Sequence, residues 1–375
     1  MKKISVIILF IIAVFSANIL NAQNYSKEDL GLRKKIAQML IVGFRGMELN
    51  SSEPIYDLIT KENIGGVILF DYDVPSKKAE RNIKDPDQLR KLCTDLQKAG
   101  ENRLFISIDQ EGGKVGRLKE CYGFPPTVSQ QYLGDNNNPK LTAEWSARTA
   151  TTLKSLGINL NFVPSVDVNI NPDCPIIGKL ERSFSSDPQI VINNAKIVIE
   201  EHRKQGILTA IKHFPGHGSS TADTHKGIVD VTSTYSDQEL IPFRELIKEG
   251  VVDIVMTSHV FNSNFDEKYP ATMSYNTLTN KLRVQMGFNG IIVSDDMSMG
   301  AMAKEYDLAT CFEKAINAGV DMFIISNNGE KYDETITYKV IDTIFQLVKE
   351  GKVSEKKIVE SWAKIQKLKV KWDIR

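Results

Sequence analysis

The sequence predicts an α/β protein, a single (β/α)8 barrel of the TIM type. Three observations predict it. Eight short apolar runs alternate with amphipathic stretches along the chain. The runs are nearly continuously hydrophobic, the pattern of parallel strands covered on both faces. Polar, chemically capable residues follow many of them: Asp109 and Glu111, Asp167, Lys212 and His213, His259, Asp295 and Asp296, Asn327. A barrel gathers the C-terminal ends of its strands around one mouth. An open doubly wound sheet, the alternative with the same strand count, scatters them along an edge.

The chain begins with a segment that stands apart from this pattern. Met1-Lys2-Lys3 is basic, Val6 to Phe15 is an unbroken apolar run, and a weaker stretch, Ser16 to Leu20, leads to Asn21-Ala22-Gln23. Basic start, short apolar core and small residue at the end describe a secretory signal peptide cleaved near Ala22. The alternative is a retained anchor. A membrane span needs about 20 predominantly apolar residues, and Ser16 and Asn18 make this one marginal. The expected organisation is residues 1–22 as signal peptide and 23–375 as one catalytic barrel, exported to the periplasm or beyond, with no stable membrane insertion of the mature chain.

The expected strands are "MLIVGF" (39–44), "IGGVILF" (64–70), "LFISID" (104–109), "INLNFVPSVDV" (158–168), "ILTAIKHF" (207–214), "VDIVMTSHV" (252–260), "GIIVSDD" (290–296) and "VDMFIIS" (320–326). Helix signals lie between them. Asp85-Pro86-Asp87-Gln88 is a capping-box-like start with proline at the first helical position. Ser186-Asp187-Pro188 opens a helix that stops at Gly206. Ser236-x-x-Glu239 forms a capping box before "LIPFRELIKEG". Residues 302–317 and the stretches after 331 and 354 read as further helices.

Composition narrows the function classes. The chain carries 47 basic and 47 acidic residues, and loss of residues 1–22 leaves 45 against 47. A near-neutral surface offers no electrostatic footprint for nucleic acid or anionic membrane. Cys93, Cys121, Cys174 and Cys311 form no C-x-x-C pair, which argues against a thiolate zinc site and favours four separate thiols.

The chemistry concentrates in four stretches. In "SIDQEGGKVGRL" (107–118), Asp109 ends a strand, and Arg117 follows about two helical turns later if a helix begins there. Asp109 either caps that helix or accepts hydrogen bonds from substrate hydroxyls. Arg182 sits in a long loop, 171–188, where an arginine is ordinarily solvated. "IKHFPGHGSSTADTHKG" (211–227) holds three of the five histidines. Lys212 and His213 end a strand, and Asp223 beside His225 is the kind of pair that makes imidazole a general acid and base. His213, His217 and Asp223 are also possible zinc ligands, although Pro215 and Gly216 forbid the helix that an i, i+4 histidine pair requires. In "GIIVSDDMSMGA" (290–301), one of Asp295 and Asp296 can face the mouth as a nucleophile, with helix capping the other reading.

Together, "KHFPGHG" followed by "DTH", "DQEGGKVGRL", the "RSF" loop and "SDDMSMGA" resemble glycoside hydrolase family 3, in its β-N-acetylglucosaminidase (N-acetylhexosaminidase) branch. The resemblance covers roughly residues 30–330 and is most specific in the histidine-bearing stretch. It implies a retaining mechanism with Asp295 as nucleophile, His225 as general acid/base and Asp223 as its partner. It implies Asp109, Arg117, Arg182, Lys212 and His213 as binding residues for the sugar at the cleaved bond, with Asp296 structural and no cofactor. The implied substrate is an N-acetylglucosamine glycoside, from cell-wall fragments or other glycans. A mobile loop would carry Asp223 and His225, with Gly216, Gly218, Ser219, Ser220 and Ala222 compatible with motion. Three other readings stay open: a metal-dependent barrel hydrolase using His213, His217 and Asp223, an N-acetylglucosaminide phosphorylase, and a non-catalytic sugar-binding protein.

Overall fold

The computed structural model describes residues 25–224 and 227–374. The expected signal peptide, residues 1–22, lies outside the described residues, and so does His225. Eight strands form a closed, all-parallel barrel in sequential order: β1 (Leu40–Gly43), β2 (Gly66–Ile68), β3 (Phe105–Ile108), β4 (Leu160–Asn161), β5 (Leu208–Phe214), β6 (Ile254–Thr257), β7 (Ile291–Asp296) and β8 (Met322–Ile325). β1 pairs with β8, Leu40 opposite Phe323, and this pairing closes the ring. Each strand falls inside one of the eight apolar runs. The all-buried run in β5 shows why the runs lack alternation: one face packs into the barrel and the other under helices.

The strand over 158–168 is shorter than expected, with only Leu160–Asn161 laddered to both neighbours. Pro164 has no N–H to donate, and beyond it the backbone pairs with β5 through an isolated Ser165–Lys212 bridge. This early end frees residues 165–168 to enter the mouth.

The main helices are α1 (Lys27–Gln38), α2 (Pro86–Ala99), α3 (Pro139–Leu156), α4 (Pro188–Lys204), α5 (Leu240–Lys248), α6 (Leu308–Ala318), α7 (Ile336–Lys349) and α8 (Glu355–Lys371). The expected caps form at α2 and α4. Asp85 accepts from the Gln88 N–H and Asp187 from the Gln189 N–H, each with proline at the first turn. The stretch 302–317 is not one helix. A short turn, Gly300–Ala303, precedes α6, which Asp307 caps by accepting from the Thr310 N–H. The capping box at 236–239 also differs. Ser236 accepts from the Gln238 N–H, but Glu239 turns inward to the loop after β5. Among the described residues, no helix is long and apolar enough to cross a membrane.

Candidate active site

The strand ends meet at one mouth, where a chain of charged hydrogen bonds joins residues from β3, β4, β5 and the 171–188 loop. Lys212, 1% exposed at the end of β5, donates to Asp109 Oδ1 at 2.7 Å and contacts Glu111 Oε1 at 2.6 Å. Glu111 also takes the fork of Arg182, from Nε at 2.8 Å and Nη2 at 2.7 Å. Burial alone would raise the Glu111 carboxyl, but the Arg182 and Lys212 charges and hydrogen bonds outweigh it and hold it well below the usual carboxylate range. The same Glu111 charge outweighs burial at Arg182 and raises its pKa.

Arg182 continues to His213, its Nη2 lying 3.0 Å from the imidazole Nε2. A guanidinium only donates, so Nε2 accepts and the ring proton sits on Nδ1. That nitrogen donates to Asp167 Oδ2 at 2.6 Å. Asp167 is fully buried. Its other oxygen accepts from the His217 N–H at 2.8 Å, and Ser165 donates to Oδ2 at 2.8 Å. Burial opposes ionisation of Asp167, yet His213, then His217 and Ser165, bring its pKa down to about 2.

Arg117 reaches the site without a helix. Gly112 and Gly113 adopt positive φ, +100° and +57°, and the chain doubles back. The Gln110 side chain then accepts from the Arg117 and Leu118 N–H groups at 2.8 and 2.9 Å. Arg117 Nη2 ends 3.7 Å from Asp109 Oδ2. Asp109 is therefore an acceptor for cations at the mouth and caps no helix.

Asp295 and Asp296 end β7 with different surroundings. Asp296 Oδ1 accepts from the Ser298 N–H and hydroxyl and from the Ser326 N–H, at 3.1, 2.6 and 2.9 Å, and Oδ2 accepts from the Ser326 hydroxyl. Asp295 Oδ1 accepts from the Asp296 N–H at 2.8 Å, and the residue stays partly exposed. His259 steadies the same turn, its Nε2 donating to the Asp296 carbonyl at 3.0 Å. Neither aspartate caps the following helical turn, whose N-cap, Met299, makes no side-chain bond.

The structure thus brings together Asp109, Arg117, Arg182, Lys212 and His213, and places Asp295 at the end of a strand of the same barrel. Glu111 and Asp167, read from the sequence as strand-end polar residues without a site role, are the buried anions that hold Lys212, Arg182 and His213. Their signal was the same position after an apolar run. The ligand set His213, His217 and Asp223 is not assembled: among the described residues no three His, Cys, Asp or Glu come together as a metal site. Both ring nitrogens of His213 are engaged, and those of His217 meet Ser220 Oγ at 2.6 Å and Thr224 Oγ1 at 3.3 Å. All four cysteines are free thiols, with Cys121 exposed and the others buried.

Residues 216–220 are all buried, and a Cβ on Gly218 would lie 1.8 Å from the Val168 carbonyl oxygen. Close packing requires that glycine.

The sequence profile described as "Glycosyl hydrolase family 3 N terminal domain" matches residues 31–368. The chain belongs to glycoside hydrolase family 3. A family relative, "Beta-hexosaminidase A" of Pseudoalteromonas piscicida, is 32% identical over 341 residues, 84% of this chain and 54% of the relative. The chain therefore spans about half the length of that protein. "Beta-hexosaminidase" of Tolumonas auensis is 35% identical over 292 residues, 77% of this chain and 83% of the relative. Among solved structures, a family 3 β-N-acetylglucosaminidase from Paenibacillus sp. str. FPU-7 superposes with a TM-score of 0.82 at 32% identity, covering 92% of this chain and 63% of that one. A β-N-acetylhexosaminidase from Beutenbergia cavernae gives 0.79 at 26% identity and covers 90% and 98%.

Proposed function

We propose that this family 3 chain is a retaining β-N-acetylglucosaminidase that removes terminal β-linked N-acetylglucosamine. The observation that carries the proposal is the preorganised mouth. Glu111 holds Lys212 and Arg182, Asp167 holds His213, and Lys212 in turn pairs with Asp109, all before substrate arrives, while a partly exposed Asp295 ends another strand of the same barrel. Such a cluster suits a sugar, whose hydroxyls need donors and acceptors at fixed positions. The β-hexosaminidase names of the relatives support the same substrate class.

In the proposed reaction Asp295 attacks the anomeric carbon while His225, oriented by Asp223, protonates the departing glycosidic oxygen. The C–O bond to the aglycone breaks as the bond to the Asp295 carboxylate forms. Water then enters, His225 takes its proton, and hydroxide displaces the aspartate to release the sugar with retention. A histidine acid avoids placing a second bare carboxylate near the nucleophile, in contrast to the two-carboxylate arrangement of most glycosidases. The apolar start of the chain supports export, and wall fragments or other N-acetylglucosamine glycans outside the cytoplasm are the substrates that export would reach.

The test is release of nitrophenol from 4-nitrophenyl β-N-acetylglucosaminide by residues 23–375, in EDTA. Turnover that Asp295→Ala abolishes is the expected result. Activity only with added zinc would revive a metal hydrolase, and acceleration by inorganic phosphate would mark a phosphorylase. Tight sugar binding without turnover would leave a binding protein. The mature N-terminus near Gln23, read by N-terminal sequencing of the exported protein, checks the processing.

A further inference from the structure

The chain that leaves β5 toward Asp223 is held at its root by buried carboxylates. Three consecutive N–H groups are involved. That of His217 goes to Asp167 Oδ1 at 2.8 Å, and those of Gly218 and Ser219 go to Glu239 Oε2 at 2.7 and 3.3 Å. Glu239 is fully buried and lies just before α5, outside the cluster of the mouth. The fit is close. Gly216 has φ +129°, and a Cβ there would lie 2.5 Å from the Glu239 Cβ. The adjacent Pro215 carbonyl accepts from the Tyr235 hydroxyl at 2.8 Å.

A carboxyl buried on backbone N–H groups, with no cation in a salt bridge to it among the described residues, is unfavourable for stability. Burial raises its pKa to about 7, against the hydrogen bonds from Ser219 and Gly218. What the group provides is a fixed direction for the chain four to seven residues before Asp223. The two exposed residues that follow, Thr221 and Ala222, span the gap between this root and Asp223.

We infer that Glu239 is a positioning residue for acid catalysis: by gripping the Gly218 and Ser219 N–H groups it aims the segment that delivers Asp223 and His225 to the leaving group. This rests on the proposed role of His225. Glu239 touches neither substrate nor reacting atoms, so its loss must appear as misplaced acid assistance and leave the rest of the site working.

The experiment compares kcat/KM on two substrates, 4-nitrophenyl and 4-methoxyphenyl β-N-acetylglucosaminide, for wild type, Glu239→Ala, Glu239→Gln and His225→Ala. kcat/KM reports the glycosylation step, where a poor leaving group needs the acid most. Glu239→Ala is expected to lower it about 30-fold or more on the methoxyphenyl substrate and less than about 5-fold on the nitrophenyl one. Glu239→Gln retains an acceptor oxygen and should recover most of the loss. Equal loss on both substrates in soluble, folded protein, or a Gln variant no better than Ala, would overturn the inference. If His225→Ala discriminates between the substrates while Glu239→Ala does not, this inference alone fails. If His225→Ala shows no discrimination, the acid/base role fails and the inference falls with it. Should Glu239→Ala not fold, Glu239→Asp replaces it. Its carboxylate retreats by one methylene and should show the same leaving-group-dependent loss, and equal loss would again overturn the idea.

Discussion

At the scale of single residues, the mouth depends on two anions that have no proposed contact with substrate. The Glu111 side chain is 1% exposed and pairs with Lys212, 2% exposed, and with Arg182, 12% exposed. Surface ion pairs contribute little, but removing one partner of a buried pair leaves an uncompensated charge and costs about 3–5 kcal/mol. Glu111→Ala should therefore lower the unfolding free energy by that amount, read as a lower urea midpoint with an unchanged m value. A loss under about 1 kcal/mol would mean that Lys212 and Arg182 find water or other partners. Asp167 works differently, since it joins the His213 ring to the His217 backbone and so ties a proposed sugar-binding group to the loop after β5.

At the scale of elements, helix α4 lies behind this site and carries His202 on its buried face. The ring bonds the Val198 carbonyl at 2.9 Å and the Asn161 amide at 3.1 Å. Burial lowers its pKa to about 4 from an ordinary 6.5. The unfolded chain binds a proton in that window that the folded one refuses. The contribution to stability is thus whole above pH 6.5 and falls as pH drops toward 4, by up to about 3 kcal/mol. His217, lowered by burial to about 4, acts in the same direction. Glu239, raised by burial from 4.5 to about 7, acts oppositely, favouring the fold below pH 4.5 and losing that contribution as pH rises to 7. The clean measurement is a difference: unfolding free energy against pH for wild type and His202→Asn. The variant should have a flatter slope between pH 6.5 and 4, and parallel curves would refute the assignment.

At the scale of the whole molecule, closing the barrel leaves a bottom as well as a mouth, and α8 covers it. Lys369 is 3% exposed there, donating to Gln38 Oε1 at 3.0 Å, while Gln38 also accepts from Gln366 Nε2 at 3.0 Å. Burial brings the Lys369 ammonium down to about 7. Lys369→Met keeps the volume, leaves Gln38 bonded to Gln366 and removes a buried charge. It should raise the unfolding free energy at pH 6 by about 1 kcal/mol or more, measured by denaturant titration. A loss of stability would show that the bond to Gln38 outweighs the desolvation of the ammonium. Activity should be unaffected, because barrels of this class place chemistry at the opposite face.

Strand number, order and class were readable from eight apolar runs, because a parallel strand buried on both faces must be continuously hydrophobic. The polar residues that ended those runs marked the mouth, because closure brings all C-terminal ends together. Local chemistry also placed the caps at Asp85 and Asp187. The tertiary structure alone decided which charges pair, since Glu111 and Arg182 are distant in sequence and meet only when the 171–188 loop crosses the barrel. It alone decided how Arg117 returns to Asp109, through the Gln110 side chain and two glycines in place of a helix. It turned Glu239 from an apparent capping residue into the anchor of a loop, and it made Gly218 a point of close contact. A glycine or a glutamate in a sequence shows what the backbone or a hydrogen bond is permitted to do, and only the packing around it selects the use.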